Sequence, residues 1–177
     1  MNSNNDVDSY VIRLLKNIEE GEGFWYDNIE KLGKVDNSVI VKHIKKYLES
    51  MNKEERRSGV EILMRTYPDA NLKLIIPFLK DIEPEVRFVA IYYLIRVDKF
   101  TNDIPLINFA ISVLQTDLSP DVRAEVAEVL GYVNVNIQEV INILLWVKNN
   151  DREFSSLGHS VSHVAENALK NISQRGQ

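Results

Sequence analysis

The stretch Asp81-Ile82-Glu83-Pro84-Glu85-Val86-Arg87 returns 36 residues later as Asp117-Leu118-Ser119-Pro120-Asp121-Val122-Arg123. Both copies read D-x-x-P-x-V-R, and each leads into apolar residues at helical spacing. The first copy continues through Val86, Ala90, Leu94 and Val97, and the second through Val122, Val126, Leu130 and Val133. The leucine that ends the pattern has weaker counterparts at Leu32, Leu63 and Leu169, in steps of 31, 31, 36 and 39 residues. Leu32-Gly33-Lys34-Val35 is echoed by Leu130-Gly131-Tyr132-Val133, and Ala165, Ala168 and Leu169 restore a small-small-Leu ending. A period of this length is the signature of a repeat architecture.

Between these leading segments lies a second helical set, marked by Ile40, Ile44, Tyr47 and Leu48, then by Leu72, Ile75, Ile76 and Leu79. Ile104, Ile107, Ile111 and Leu114 mark a third, and Ile137, Ile141, Leu144 and Val147 a fourth. Period-two alternation never persists, so strands are not expected. Short breaks at 35–37, 67–70, 99–102 and 133–135 separate the two helices of each pair. Asp36, Asp69 or Asn102 can cap the helix that follows. Pro84 and Pro120 belong in a first helical turn, where a missing N–H costs nothing. Pro77 falls late in its helix and predicts a kink. The tails Met1–Asn5 and Gln174–Gln177 are expected to fray.

The expected fold is all-α: an opening helix near Val7–Glu19, four helix pairs and a closing helix at 157–172. One pair cannot bury its own apolar face, so pairs at this period stack into an α-solenoid. A single domain over 1–177 is expected, with repeats near 23–50, 52–80, 83–116 and 119–149. The segment Val86 to Ile95 is apolar nearly all round, as a middle repeat covered by two neighbours would be.

The D-x-x-P-x-V-R phrase followed by A-x-x-x-L resembles the HEAT repeat, in particular the short bacterial form shared with phycobilisome lyase-like proteins. The likeness covers about Gly23 to Ile172. The copies around Leu32, Leu63 and Leu169 lack the proline; of these, only the Leu63 copy keeps the arginine, as Arg56, and the last has Ser162 instead. Arg87 and Arg123 could clamp anions, or each could pair with the acid of its own or the neighbouring phrase, Asp81 or Asp117. The resemblance implies the second, as a ladder between repeats. It also implies that the second helices line a concave surface. Some relatives are bilin lyases, but the likeness is to the repeat and not to an active site.

Composition excludes several chemistries. There is no cysteine, hence no disulfide scaffold, thiolate metal site or thiol nucleophile. A net charge of −5 argues against a general nucleic-acid binder. No basic region leads into an apolar core near the start, and no apolar run approaches the ~20 residues needed to cross a bilayer. A cytoplasmic protein with no membrane partner is expected. No phosphate loop or G-x-S-x-G elbow occurs. His159, His163 and Glu166 are spaced as one helix face, but His-Ser-Val-Ser-His lacks the glutamate of H-E-x-x-H. The chain is therefore expected to be no enzyme, and no metal or other cofactor is expected.

The candidate partner-binding residues are the non-core positions of the second helices. Lys42, Lys45 and Lys46 with Glu49 come from the first, and Lys73 and Lys80 from the next. Asn108, Ser112 and Gln115 on the third are spaced i, i+4, i+7, as are Asn142, Trp146 and Asn149 on the fourth. Trp146 stands out because tryptophan is enriched among interface anchors; its alternative is packing against the last helix. Asp121, Glu125 and Glu128 would form an acidic stripe, either solvated or docking a basic partner. Trp25, Ile29 and Leu32 make a core stripe that leaves Phe24 or Tyr26 as surplus aromatics. The leading reading is a non-catalytic protein-binding module, in its most concrete form an immunity or antitoxin protein that sequesters a basic toxin. The alternatives are nucleic-acid binding in a basic concave groove and a tetrapyrrole lyase-like or chaperone role.

Overall fold

Several helices in this protein start where the chain supplies an acceptor or a proline. The computed structural model describes residues 3–21, 25–94, 97, 100–135 and 137–175. Ten α-helices occur among them: α1 (Ser3–Glu20), α2 (Trp25–Leu32), α3 (Asn37–Leu48), α4 (Lys53–Thr66), α5 (Pro68–Ile75), α6 (Pro84–Tyr92), α7 (Ile104–Thr116), α8 (Pro120–Leu130), α9 (Ile137–Asn150) and α10 (Val161–Arg175). Asp36 caps α3 by accepting the Ser38 N–H at 2.9 Å, and Asn52 caps α4 through the Glu54 N–H at 2.8 Å. Prolines occupy the first turns of α5, α6, α7 and α8. The described residues contain no strand, only an isolated antiparallel bridge between Phe154 and Ser160.

The chain divides into two compact units, Met1–Pro77 and Phe78–Gln177. In the first, α1 packs on α2 and α3, α2 on α4, and α4 on both α3 and α5. Val11, Leu14, Leu32, Ile40, Ile44, Leu63 and Ile75 form its core. Gly59 lies so close to α3 that a Cβ there would meet Leu48 Cδ2 at 2.9 Å. Polar bonds also tie α1 to α3: Asp8 accepts from Lys42 Nζ and bonds His43 Nε2, each at 2.7 Å. Those two partners, Lys42 first, hold the Asp8 carboxyl below its usual range.

In the second unit, α6 packs on α8 and α8 on α10, while α7 lies on α8 and α9 on α10. The apolar residues of the two strong phrases are all buried: Val86, Ala90, Leu94 and Val97, then Val122, Val126, Leu130 and Val133. Gly131 permits the close approach of α8 to α10, since a Cβ there would lie 3.0 Å from the Cα of Ala168.

Several local expectations are corrected. The closing helix starts at Val161, not 157, because residues 153–161 form a tight turn with Gly158 at φ 81°. Its ends are held by Ser155 N–H donating to His159 O and by Val161 N–H donating to Glu153 O. The third second-set helix is capped by Asp103 and not Asn102, since Phe100–Asn102 forms a 3-10 turn. Tyr67 precedes α5 as its cap residue, so Asp69 lies inside the helix. The kink expected at Pro77 takes the form of a change from α5 into a 3-10 segment, Ile76–Lys80. Ile76, Ile104 and Ile137 are exposed, and Ile143 replaces Ile141 as the buried residue of α9. Ser3 to Asn5 continue within α1, and Gln174 and Arg175 within α10. Met1, Asn2, Gly23, Phe24, Ile95, Lys99, Gly176 and Gln177 lie outside the described residues.

Candidate functional site

Helix α9 buries Val140, Ile143, Leu144 and Val147, and this stripe turns Asn142, Trp146 and Asn149 to the opposite side. On α7, the buried Ile107, Ala110, Ile111 and Leu114 do the same for Asn108, Ser112 and Gln115. All six polar-stripe residues are exposed, Trp146 by 54%. A groove of about 470 Å³ opens between the two helices, lined by Ile111, Gln115, Glu139, Asn142, Ile143 and Trp146. Its floor is apolar and its walls carry amides, one carboxylate and an indole. Asn142 Oδ1 accepts from Gln138 Nε2 at 3.0 Å, and Asn150 Nδ2 donates to the Trp146 carbonyl at 2.7 Å, so the exposed face of α9 is ordered. Glu139, Ile111 and Ile143 were not legible as lining residues. The signal for Glu139 is its position one turn before Ile143, which only the observed burial of α9 reveals.

The lysines divide between the units. In the first, Lys42 is drawn to Asp8 at 2.7 Å, Lys45 lies 3.6 Å from Glu49, and Lys46 sits over the Tyr47 ring at 4.5 Å. Lys73 is exposed on α5. In the second, Lys80 lies over the Phe109 ring at 5.0 Å. Ion pairing of Lys42 and Lys45 lowers the positive potential available to a phosphate backbone.

The three acids of α8 do not share one solvated stripe. Glu128 is exposed and Asp121 half-buried, but Glu125 is only 9% exposed. Burial, with a smaller contribution from the charge of Glu128, pushes the Glu125 carboxyl up to about 7. Asp121 Oδ1 accepts from both the backbone N–H and the hydroxyl of Ser156, at 2.8 Å each. Position 125 aligns with Val89 of α6, also buried, which explains why charge patterning alone misassigned it.

Arg87 and Arg123 pair forward. Arg87 makes a bidentate contact with Asp117, Nε to Oδ2 at 2.7 Å and Nη2 to Oδ1 at 2.8 Å, while its Nη1 donates to the carbonyls of Asp81 and Ile82. Arg123 repeats this with Asp151 at 2.7 Å, bonds Glu153, and donates to the Asp117 carbonyl. Arg56 Nη1 likewise donates to the carbonyls of Ser50 and Met51 at 3.0 Å. The forward acid Asp151 was missed because its phrase lacks the proline.

His159 lies in the turn before α10 while His163 lies on the helix, bonded to Asn167 at 3.2 Å, so the two imidazoles and Glu166 share no helix face. Glu166 is engaged by Lys148, which together with Lys170 keeps its carboxyl below the usual range. Among the described residues, no group of three His, Asp or Glu side chains could hold a metal ion. Tyr26 is 68% exposed, and Arg65 lies over both its ring and that of Trp25. No described helix is long and apolar enough to cross a membrane. No family model, curated protein or solved structure matches the chain.

Proposed function

We propose that this chain is a HEAT-like stack of helix pairs acting as a non-catalytic protein-binding module, with the α7–α9 groove as its contact surface. The observation that carries this reading is Trp146, more than half exposed on the wall of an open groove. A large amphipathic ring left in solvent beside Asn142 and Gln115 suits a partner that supplies both an apolar side chain and main-chain amides. The HEAT-like part is supported by the forward Arg87–Asp117 and Arg123–Asp151 pairs and by the succession α6, α8, α10 of leading helices.

In its most concrete form the partner is a basic toxin, and the chain is its immunity protein. A net charge of −5 favours fast association with a cationic partner. Co-expression with the protein encoded beside it on its genome tests this form. Relief of that neighbour's toxicity, lost on Trp146→Ala, is the expected result. A toxic neighbour that the wild-type chain does not relieve, or a harmless one, overturns the toxin reading.

A further inference from the structure

Ile82, Leu118 and Phe154 recur at intervals of 36 residues in the sequence. They are 85%, 92% and 65% exposed, and Leu157, from the same turn as Phe154, is 74% exposed. Single exposed apolar residues are ordinary on a protein surface, whereas a contiguous set marks a contact site.

Two guanidinium groups tie together the successive corners that carry these residues. Arg87 bonds the Ile82 carbonyl and the Asp117 carboxylate at once, joining the corner before α6 to the corner before α8. Arg123 bonds the Asp117 carbonyl and the Asp151 carboxylate, joining that corner to the turn before α10. Ser156 then anchors the turn to Asp121 in the first turn of α8. Each corner is stiffened again by its own aspartate: Asp81, Asp117 and Asp151 accept the N–H groups of Glu83, Ser119 and Glu153 at 2.9, 2.9 and 3.1 Å. The apolar side chains are therefore presented on a rigid edge, with little ordering cost left for binding. Met51, 97% exposed beside the Arg56 clamp of the other unit, repeats the device locally.

We propose that the Ile82–Leu118–Phe154–Leu157 row docks a cationic amphipathic helix of a partner protein. Charge selects the sign of the partner. Residues 81–94 carry three acids, all at the corner end (Asp81, Glu83 and Glu85), and residues 117–130 carry four (Asp117, Asp121, Glu125 and Glu128), against the two cations Arg87 and Arg123, both engaged in the ladder. Arg152, an exposed cation of the third corner, donates to the Asn149 carbonyl at 2.9 Å. A second copy would bring the same acids against themselves, which disfavours self-association. Spacing selects a helix. Packed helices lie about 8–10 Å apart, so successive corners repeat on that scale. An amphipathic helix returns to the same face every seven residues, about 10.5 Å along its axis. None of the four residues of the row is among those lining the α7–α9 groove.

The test uses a fluorescein-labelled synthetic peptide of about 20 residues, with leucine at heptad spacing and lysine on the other face, and a second peptide with glutamate in place of lysine. Anisotropy at low salt should show binding of the lysine peptide and not of the glutamate peptide. Ile82→Ser with Leu118→Ser should weaken that binding by at least about tenfold, the scale of one fully buried aliphatic side chain. Leu118→Lys should weaken it too, and Trp146→Ala should leave it unchanged. Thermal melts of the corner variants should match the wild type, and a marked drop would mean the side chains serve folding and would overturn the proposal. Failure of the lysine peptide to bind, equal binding of both peptides, or loss of binding in Trp146→Ala would also overturn it. Sedimentation of the wild type as a dimer that the corner variants dissociate would assign the row to a second copy instead. A failure here leaves the groove reading standing, because that reading is probed by Trp146.

Discussion

Glu125 holds a carboxyl where the fold disfavours its charge. Its usual value of 4.5 is raised to about 7 by burial, with Glu128 adding to the effect. Below pH 4.5 the group is neutral in both folded and unfolded chains and costs nothing. Between pH 4.5 and about 7 it ionises first in the unfolded chain, so its contribution falls as pH rises. Above that window the folded state carries the whole penalty, about 3 kcal/mol from a shift of this size. Glu125→Gln should therefore stabilise the protein by about that amount at pH 8 and barely at all at pH 4. Urea denaturation at the two pH values measures it, and equal effects at both would refute the burial argument.

At the scale of the elements, the two D-x-x-P-x-V-R phrases were legible because each carries its own local physics. Proline opens the helix, valine enters the core, and arginine reaches a carboxylate. The forward direction of that reach was not legible, since Asp81 lies six residues from Arg87 and Asp117 thirty, and the phrase itself does not say that the arginine passes over the nearer acid for the next repeat's. The closing helix was misjudged by four residues, because Leu157 continues an apolar spacing while Gly158 takes a left-handed turn that no periodicity reveals. Glu125 failed for a related reason: polar type predicted exposure, and packing against neighbouring helices overrode it. The contact between α8 and α10 can be probed at Gly131, where a Cβ would lie 2.9 Å from the Glu128 carbonyl oxygen and 3.0 Å from Ala168. Gly131→Ala should cost about 1–3 kcal/mol by forcing the helices apart. Gly33→Ala, at the echoed position, meets nothing closer than 3.5 Å and should cost much less. Similar losses at both positions, measured by denaturant midpoints, would contradict the close approach at Gly131.

For the molecule as a whole, the polar stripes of α7 and α9 were legible from spacing alone, whereas the groove between them depends on which faces the core takes. Asn142, Trp146 and Gln115 gather there, and within the first unit Lys42 and Lys45 are paired with acids. The protein-binding reading thus rests on one exposed ring. Trp146→Ala should leave the thermal melt of the free protein close to that of the wild type, since a side chain 54% in solvent leaves little cavity behind. The most direct measurement is quantitative capture of a partner from native lysate, with wild type and Trp146→Ala compared side by side at low, physiological and high salt. The expected result is a stable protein partner held by the wild type and bound at least about 30-fold more weakly by the variant, the scale of an anchor residue. No partner at any salt, or the same partner held equally by both proteins, would contradict it.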